Sequence, residues 1–170
     1  TFTVGADNFS YDVKFWGDTS GAFMEWDESD DELERKWIKT TDNSELYKKD
    51  FEVALKDLLD FLSEEGVTGS ERNIANLVIK KLISIGIPKK YIFFDRANKK
   101  IPLPTQTGNL IVKLPGTKTG KRKLFSTHLD TVSLCAGAIP KIINNKIISK
   151  RNTALGADNR GGVACLITML

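Results

Sequence analysis

Two residues in the second half of the sequence have types and spacing suited to metal chemistry. His128 directly follows the apolar stretch 123–127, and Asp130 lies two positions further on. Because side chains alternate along an extended chain, His128 and Asp130 point to the same side. A neutral imidazole binds a cation such as zinc, and a neighbouring carboxylate can fix the orientation and tautomer of the ring. Alone, however, this pair is a weak signal, because an isolated histidine is more often an ordinary surface or core residue.

A second candidate ligand lies 30 residues further along the chain. Asp158 stands between Gly156 and the pair Gly161-Gly162, immediately before an apolar stretch. Glycines allow a backbone to approach an ion closely, and a carboxylate held at such a turn can bridge two divalent cations. Alternatively, Asp158 or Asn159 simply caps the following helix. The residues alone leave both interpretations open.

Two helices are predicted ahead of these residues. Apolar side chains recur at helical spacing over 51–62, which indicates an amphipathic helix. Thr68 and Glu71 have the spacing of a capping box, in which two side chains satisfy two backbone donors at a helix start. The helix that follows has an apolar face over 74–85, and Gly86 is suited to end it.

The remainder of the second half alternates between strands and turns. Strands are predicted over 109–114 and 123–127, and a hairpin is predicted over 142–148 with two asparagines at its turn. The stretch 163–170 has the composition of a final helix. Helices followed by strands and a further helix indicate an α/β layered fold.

The first 42 residues have a different character. Residues 11–15 and 22–26 alternate like strands around a turn at 17–21, and 27–34 form an acidic run that predicts a turn or linker. The text over 11–34 resembles a short β-hairpin repeat of phage structural proteins. We therefore treat 1–42 as a β-rich segment of uncertain origin.

Charge and composition narrow the functional classes. Residues 1–50 hold 13 acidic and 6 basic side chains, whereas 51–170 hold 9 acidic and 19 basic ones. The basic residues are scattered without interleaved aromatics, so we expect a solvated surface and no nucleic-acid partner. No apolar run is long enough to span a membrane, and no membrane partner is expected. Cys135 and Cys165 are too few for a disulfide framework and predict buried, reduced thiols in a cytoplasmic protein.

Several motifs together resemble one protein family. They are "TGSERNIA" at 68–75, "GNLIVKLPG" at 108–116, "STHLDTV" at 126–132 and "ALGADNRGGVA" at 154–164. In this order they resemble the large metallopeptidase family that contains peptidase T, carboxypeptidase G and the acyl-amino-acid deacylases. The resemblance runs from about Phe51 to Leu170, and "GADN" favours the tripeptidase branch.

The resemblance implies a fold and a site. The fold would be a partial three-layer α/β sandwich, with 43–170 forming the N-terminal portion of a zinc exopeptidase catalytic domain. His128 would bind one zinc, Asp158 would bridge two, and Asp130 would serve catalysis by orienting His128. The complete site would hold two Zn²⁺, with Co²⁺ or Mn²⁺ as alternatives, and a metal-bridging water would attack a short peptide. The family also allows a homodimer formed through a further domain.

This sequence departs from the family pattern after the "GADN" loop. The family's Glu pair, a further acidic ligand and a second histidine follow that loop, whereas His128 is the only histidine of this chain. Glu64 and Glu65 precede the motifs and are interpreted as solvated. The first residue is Thr, so we expect the natural start to lie upstream. We expect the chain to be an incomplete catalytic domain and, alone, a poor enzyme.

Two other functional hypotheses stay open at this point. A carboxypeptidase or N-acyl amino-acid deacylase of the same family would share the metal site and differ in the substrate pocket. A non-catalytic structural or interaction protein would instead depend on the first 42 residues.

Overall fold

The computed structural model describes most of the chain. Near the N-terminus it describes three strands by their backbone alone, and it then describes residues 44–103, 105–116 and 123–170. Side chains are described within these stretches from residue 51 onward. The prediction of a turn at 17–21 lies outside the described residues.

Two helices form the first layer. Helix α1 spans Ser44–Ser63 and helix α2 spans Arg72–Ser84. Helix α1 begins earlier than predicted. Helix α2 buries Ile74, Val78 and Leu82 of the predicted apolar face, whereas Ile85 lies beyond the helix and is exposed. The end of α2 is as predicted: Gly86 adopts a φ of 96°, and its N–H donates to the Ile83 carbonyl over 3.0 Å.

Within the described part of the chain, seven strands form two sheets. A five-stranded antiparallel sheet has the order β1-β2-β3-β7-β6, with β1 at Val13–Trp16, β2 at Phe23–Asp27, β3 at Glu32–Lys36, β6 at Pro140–Ile143 and β7 at Lys146–Ser149. A second sheet pairs β4 at Ile92–Phe94 with β5 at Leu110–Val112. The strand predicted over 109–114 is confirmed, although β5 is shorter than the predicted range.

The paired strands of both predicted hairpins are present. Strands β1 and β2 pair antiparallel with Val13 opposite Trp26. Strands β6 and β7 meet at Asn144 and Asn145, whose φ angles of 50° and 66° are those of a type I′ turn. Asparagine tolerates positive φ, which explains why this turn could be recognised from two residues.

The acidic run over 27–34 is not wholly a turn, contrary to our prediction. Asp27 ends β2, and residues 32–34 lie in β3, which pairs with β2. Strand β3 also pairs with β7, with Leu33 opposite Ile147. Pairing with strands on both sides supplies hydrogen bonds that outweigh the weak strand preference of acidic residues. The domain boundary at 42–43 stays a prediction.

The strand predicted over 123–127 is wrong. These residues are irregular, and the side chains of Leu124 and Phe125 are 83% and 59% exposed. Within the stretches that the structure describes, no strand pairs with them. Further along the chain, Thr131 forms an isolated parallel β-bridge with Val67. A stretch with a strand-like sequence does not form a strand unless a neighbouring strand pairs with its backbone N–H and C=O groups.

Helix α3, Ala157–Thr168, completes the described core. It packs against α1, which also contacts α2 and β6. The buried cluster joins all three helices with β7, and its members include Phe61, Ile74, Ile147 and Val163. The predicted α/β class is confirmed. Among the described helices, none combines the length and apolarity that crossing a bilayer requires.

The two cysteines are half-buried, whereas we predicted that both would be buried. They are not joined by a disulfide. Burial raises the pKa of the Cys165 thiol to about 12. Because the thiolate is the reactive form, Cys165 behaves as a packing residue.

Candidate functional site

The structure brings His128, Asp130 and Asp158 together. Nε2 of His128 lies 3.1 Å from Oδ1 of Asp158, and Nδ1 lies 2.9 Å from the backbone carbonyl oxygen of Asp130. The carboxylate Oδ1 of Asp130 is 3.4 Å from the same Nδ1. The predicted juxtaposition of an imidazole and a carboxylate 30 residues apart is therefore present.

The start of α3 places Asp158 beside the imidazole. Gly156 has a φ of 77°, and the dihedral angles of Asp158 and Asn159 are not helical. The peptide bond between Asp158 and Asn159 is cis. Oδ1 of Asn159 accepts the N–H of Gly162 over 2.8 Å, which is the hydrogen bond of an N-cap. Of the two residues considered for capping, Asn159 takes that role and Asp158 contacts His128.

The Asp130 carboxylate also contacts Thr68, which was predicted to cap helix α2. The hydroxyl of Thr68 donates to Oδ2 of Asp130 over 2.6 Å. The predicted capping box is wrong, because α2 has no side-chain cap hydrogen bond from Thr68. Instead, Glu71 is buried and accepts the backbone N–H groups of Gly69 and Gln106. No local pattern could have linked Thr68 to a carboxylate 62 residues away.

The imidazole and the carboxylate shift each other's pKa. The hydrogen bond to Asp158 raises the pKa of His128 above 6.5, against the opposing effect of burial. The same hydrogen bond lowers the pKa of Asp158 below 3.8. Each ring nitrogen faces an oxygen acceptor, an arrangement that favours the protonated ring, in which both nitrogens donate. A metal ion at Nε2 would have to replace that proton.

A buried arginine lies beneath the site and was missed from sequence. Arg160 is 1% exposed, and burial lowers its pKa to about 10, while attraction to Asp130 opposes the shift. Its Nη2 donates to the Glu64 carbonyl over 3.4 Å. Among the described residues, its Nη1 has no hydrogen-bond partner. A cavity of about 10 Å³, lined in part by Gly66 and Thr131, adjoins it and has room for one water.

His128 and Asp158 supply two ligands of the kinds that zinc accepts. The imidazole nitrogen and the carboxylate oxygen converge within contact distance, and both side chains are accessible, at 49% and 75% exposure. Over all the described stretches, this site included, no group of three or more His, Cys, Asp or Glu side chains is arranged to hold a metal. Catalytic zinc sites use at least three protein ligands. The two residues therefore fit part of a metal site, and their role as ligands stays a prediction.

Two crystal structures resemble this fold. Aminopeptidase PepT of Bacillus cereus ATCC 10987 is 30% identical, with a TM-score of 0.60 over 69% of this chain. A tripeptidase of Staphylococcus aureus subsp. aureus Mu50 is 25% identical, with a TM-score of 0.59 over 68% of this chain. Both neighbours are peptidases. This chain spans only 30% of each of them.

The sequence comparisons are less informative about activity. An uncharacterized protein, YqjE of Bacillus subtilis strain 168, is 27% identical over 113 residues, which are 66% of this chain and 29% of that protein. No family model matches the sequence. The structural neighbours thus support a peptidase-like α/β fold for part of a catalytic domain.

Proposed function

We propose that this chain contributes part of the active site of a zinc-dependent aminopeptidase that hydrolyses short peptides, of the tripeptidase type. The observation that carries the proposal is the 3.1 Å approach of His128 Nε2 to Asp158 Oδ1, two groups that zinc accepts as ligands. The fold supports it, because the two similar crystal structures are a tripeptidase and an aminopeptidase.

Each residue has a defined part in this proposal. His128 and Asp158 would hold a divalent cation between the irregular 123–130 stretch and the start of α3. Asp130 would keep the imidazole oriented through its carbonyl, 2.9 Å from Nδ1, and its carboxylate. When bound, zinc supplies Lewis-acid chemistry, polarising a carbonyl and making water a nucleophile near neutral pH.

The named neighbours favour an aminopeptidase over the other chemistries considered. Neither neighbour is a carboxypeptidase or a deacylase. The substrate of the proposal is therefore a short peptide with a free amino terminus. A cytoplasmic location, Co²⁺ or Mn²⁺ in place of zinc, and a homodimer formed through a further domain remain parts of the proposal.

Zinc titration of the 170-residue chain tests the metal site. We expect calorimetry to give a dissociation constant no tighter than about 1 µM, because two protein ligands are fewer than tight sites use. His128→Ala and Asp158→Ala should each weaken zinc binding at least about tenfold, since each removes a ligand. The chain alone should release no amino acid from tripeptides.

A matched control is Asp60→Ala, which removes a carboxylate from the surface of α1, where Asp60 pairs with Lys56. This variant should bind zinc like the unmodified chain. Equal zinc binding by the unmodified chain, His128→Ala and Asp158→Ala would contradict the proposed site. Nanomolar uptake of two zinc ions would contradict the predicted incompleteness of the site.

A further inference from the structure

Among the described residues, the Thr68 hydroxyl is the one side-chain group that forms a hydrogen bond with Oδ2 of Asp130. Its Oγ1 donates to Oδ2 of Asp130 over 2.6 Å. The backbone around Thr68 is fixed on both sides: its N–H donates to the Thr131 carbonyl over 3.0 Å, and the Thr131 N–H donates to the Gly66 carbonyl over 2.9 Å. The backbone that carries the Thr68 hydroxyl is therefore held by a short parallel pairing and has little freedom to move.

This hydrogen bond determines which oxygen of Asp130 faces the histidine. With Oδ2 engaged by Thr68, Oδ1 is directed to Nδ1 of His128 at 3.4 Å. The carboxylate is 35% exposed, so without Thr68 it could rotate toward water. The Asp130 carbonyl, 2.9 Å from Nδ1, is the nearer restraint on the ring, and the carboxylate adds a second one from the same residue. Together they set the ring plane and hence where Nε2 points. Residues that hydrogen-bond to a metal ligand and orient it commonly affect metal affinity.

Besides Asp130, the Thr68 hydroxyl has one longer contact, with the Thr131 carbonyl at 3.5 Å. Thr68 does not cap α2, and its side chain is exposed and outside the core. Removing its hydroxyl should leave the packing of the helices intact, because the side chain lies outside the buried cluster.

We propose that Thr68 is a positioning residue that acts through Asp130 to orient His128 toward Asp158. The link between Thr68, Asp130 and His128 is a property of this chain alone. Its consequence for a divalent cation rests on the proposed function.

The single histidine makes the proposal directly measurable by NMR in the metal-free chain. At about pH 5, below the ordinary imidazole pKa of about 6.5, the chemical shifts of the two ring nitrogens report hydrogen bonding more than titration. Thr68→Val keeps the branched shape and removes the hydroxyl, and it should shift the Nδ1 and Nε2 signals. Thr68→Ser keeps the hydroxyl and should restore the original signals.

Two further variants separate positioning from a general disturbance. Thr168→Val removes an exposed hydroxyl at the end of α3, which donates to the Ala164 carbonyl, and it should leave the ring signals unchanged. In an Asp130→Ala background, Thr68→Val should have no further effect, because the residue that transmits it is gone. Unchanged ring signals in Thr68→Val would overturn the proposal. An equal shift with and without Asp130 would also overturn it. Should Thr68→Val fail to fold, Thr68→Ala is measured in the same way.

Zinc binding by the same variants tests the consequence separately. Thr68→Val should weaken zinc binding about tenfold, and Thr68→Ser should bind like the unmodified chain. If the unmodified chain binds no zinc, the proposed function fails while the NMR comparison still decides the role of Thr68. If the unmodified chain, Thr68→Val and Thr68→Ser bind zinc equally while the ring signals shift, Thr68 positions the ring without affecting the metal. The proposed effect of Thr68 on zinc binding is then overturned.

Discussion

At the scale of single residues, the central feature is the contact between the His128 imidazole and the Asp158 carboxylate. Nε2 of His128 lies within hydrogen-bond distance of Asp158 Oδ1, and Nδ1 lies within hydrogen-bond distance of the Asp130 carbonyl oxygen. Two oxygens that only accept favour the imidazolium form. A cation entering this site competes with a proton, and metal uptake should therefore release protons and weaken as pH falls.

The pair should also make stability depend on pH in the metal-free chain. The raised pKa of His128 contributes stability that is complete below 6.5 and is lost as pH rises through the raised value. The lowered pKa of Asp158 contributes stability that is present above 3.8 and is lost as pH falls through the lowered value. Thermal unfolding in the presence of a chelator should therefore show the pair's contribution at mildly acidic pH.

Asp158→Asn tests this interpretation. The amide carries no charge, so the pKa of His128, followed by NMR of the single imidazole, should fall from its raised value toward 6.5. Asp60→Asn, on the surface of α1, is the control and should leave the titration of His128 unchanged. A His128 pKa that is the same in the unmodified chain and in Asp158→Asn would show that the two side chains do not interact in solution.

At the scale of elements, the start of α3 divides two tasks between neighbouring residues. Asn159 caps the helix, and Asp158, one residue earlier, contacts the imidazole. The cap leaves no space for a side chain at position 162. A Cβ on Gly162 would overlap Oδ1 of Asn159 and would lie 2.9 Å from Oγ1 of Thr127. Gly161 has no described atom within 4 Å of the equivalent point.

This difference predicts opposite effects for two adjacent substitutions. Gly162→Ala should destabilise the chain by about 1–3 kcal/mol, because the cap or Thr127 must move. Gly161→Ala should be neutral or stabilise it by up to about 1 kcal/mol, since alanine favours the helix and meets open space. Urea unfolding of both variants measures the difference. A Gly162→Ala variant at least as stable as Gly161→Ala would show that Asn159 does not cap α3 in this way.

At the scale of the whole molecule, the N-terminal strands extend the sheet that contains β7. Strand β7 lies between β6 and β3, with Glu34 opposite Lys146 and Leu33 opposite Ile147. The side chain of Ile147 belongs to the buried cluster that joins the three helices. Pairing through β3 therefore connects the first segment of the chain to the core beside the candidate site.

Removing that segment should expose the edge of β7. In a variant that begins at Ser44, the start of α1, strand β7 loses its neighbour β3 and becomes an edge strand. Its backbone amides should therefore exchange hydrogen faster. Peptides from α2 serve as an internal control and should exchange as before. Equal exchange in β7 with and without the first 43 residues would mean that β3 does not pair there in solution.

Some of these features follow from neighbouring residues and others only from folding. The asparagine turn between β6 and β7, the glycine end of α2 and the pairing of a ligand-type histidine with Asp130 are local, because each depends on residues a few positions apart. Thr68 reaches Asp130 across 62 positions, and Arg160 reaches Glu64 across 96. The stretch 123–127 has a strand-like pattern and forms no strand. Hydrogen bonds between distant segments depend on which segments the fold brings together, and no local pattern encodes that choice.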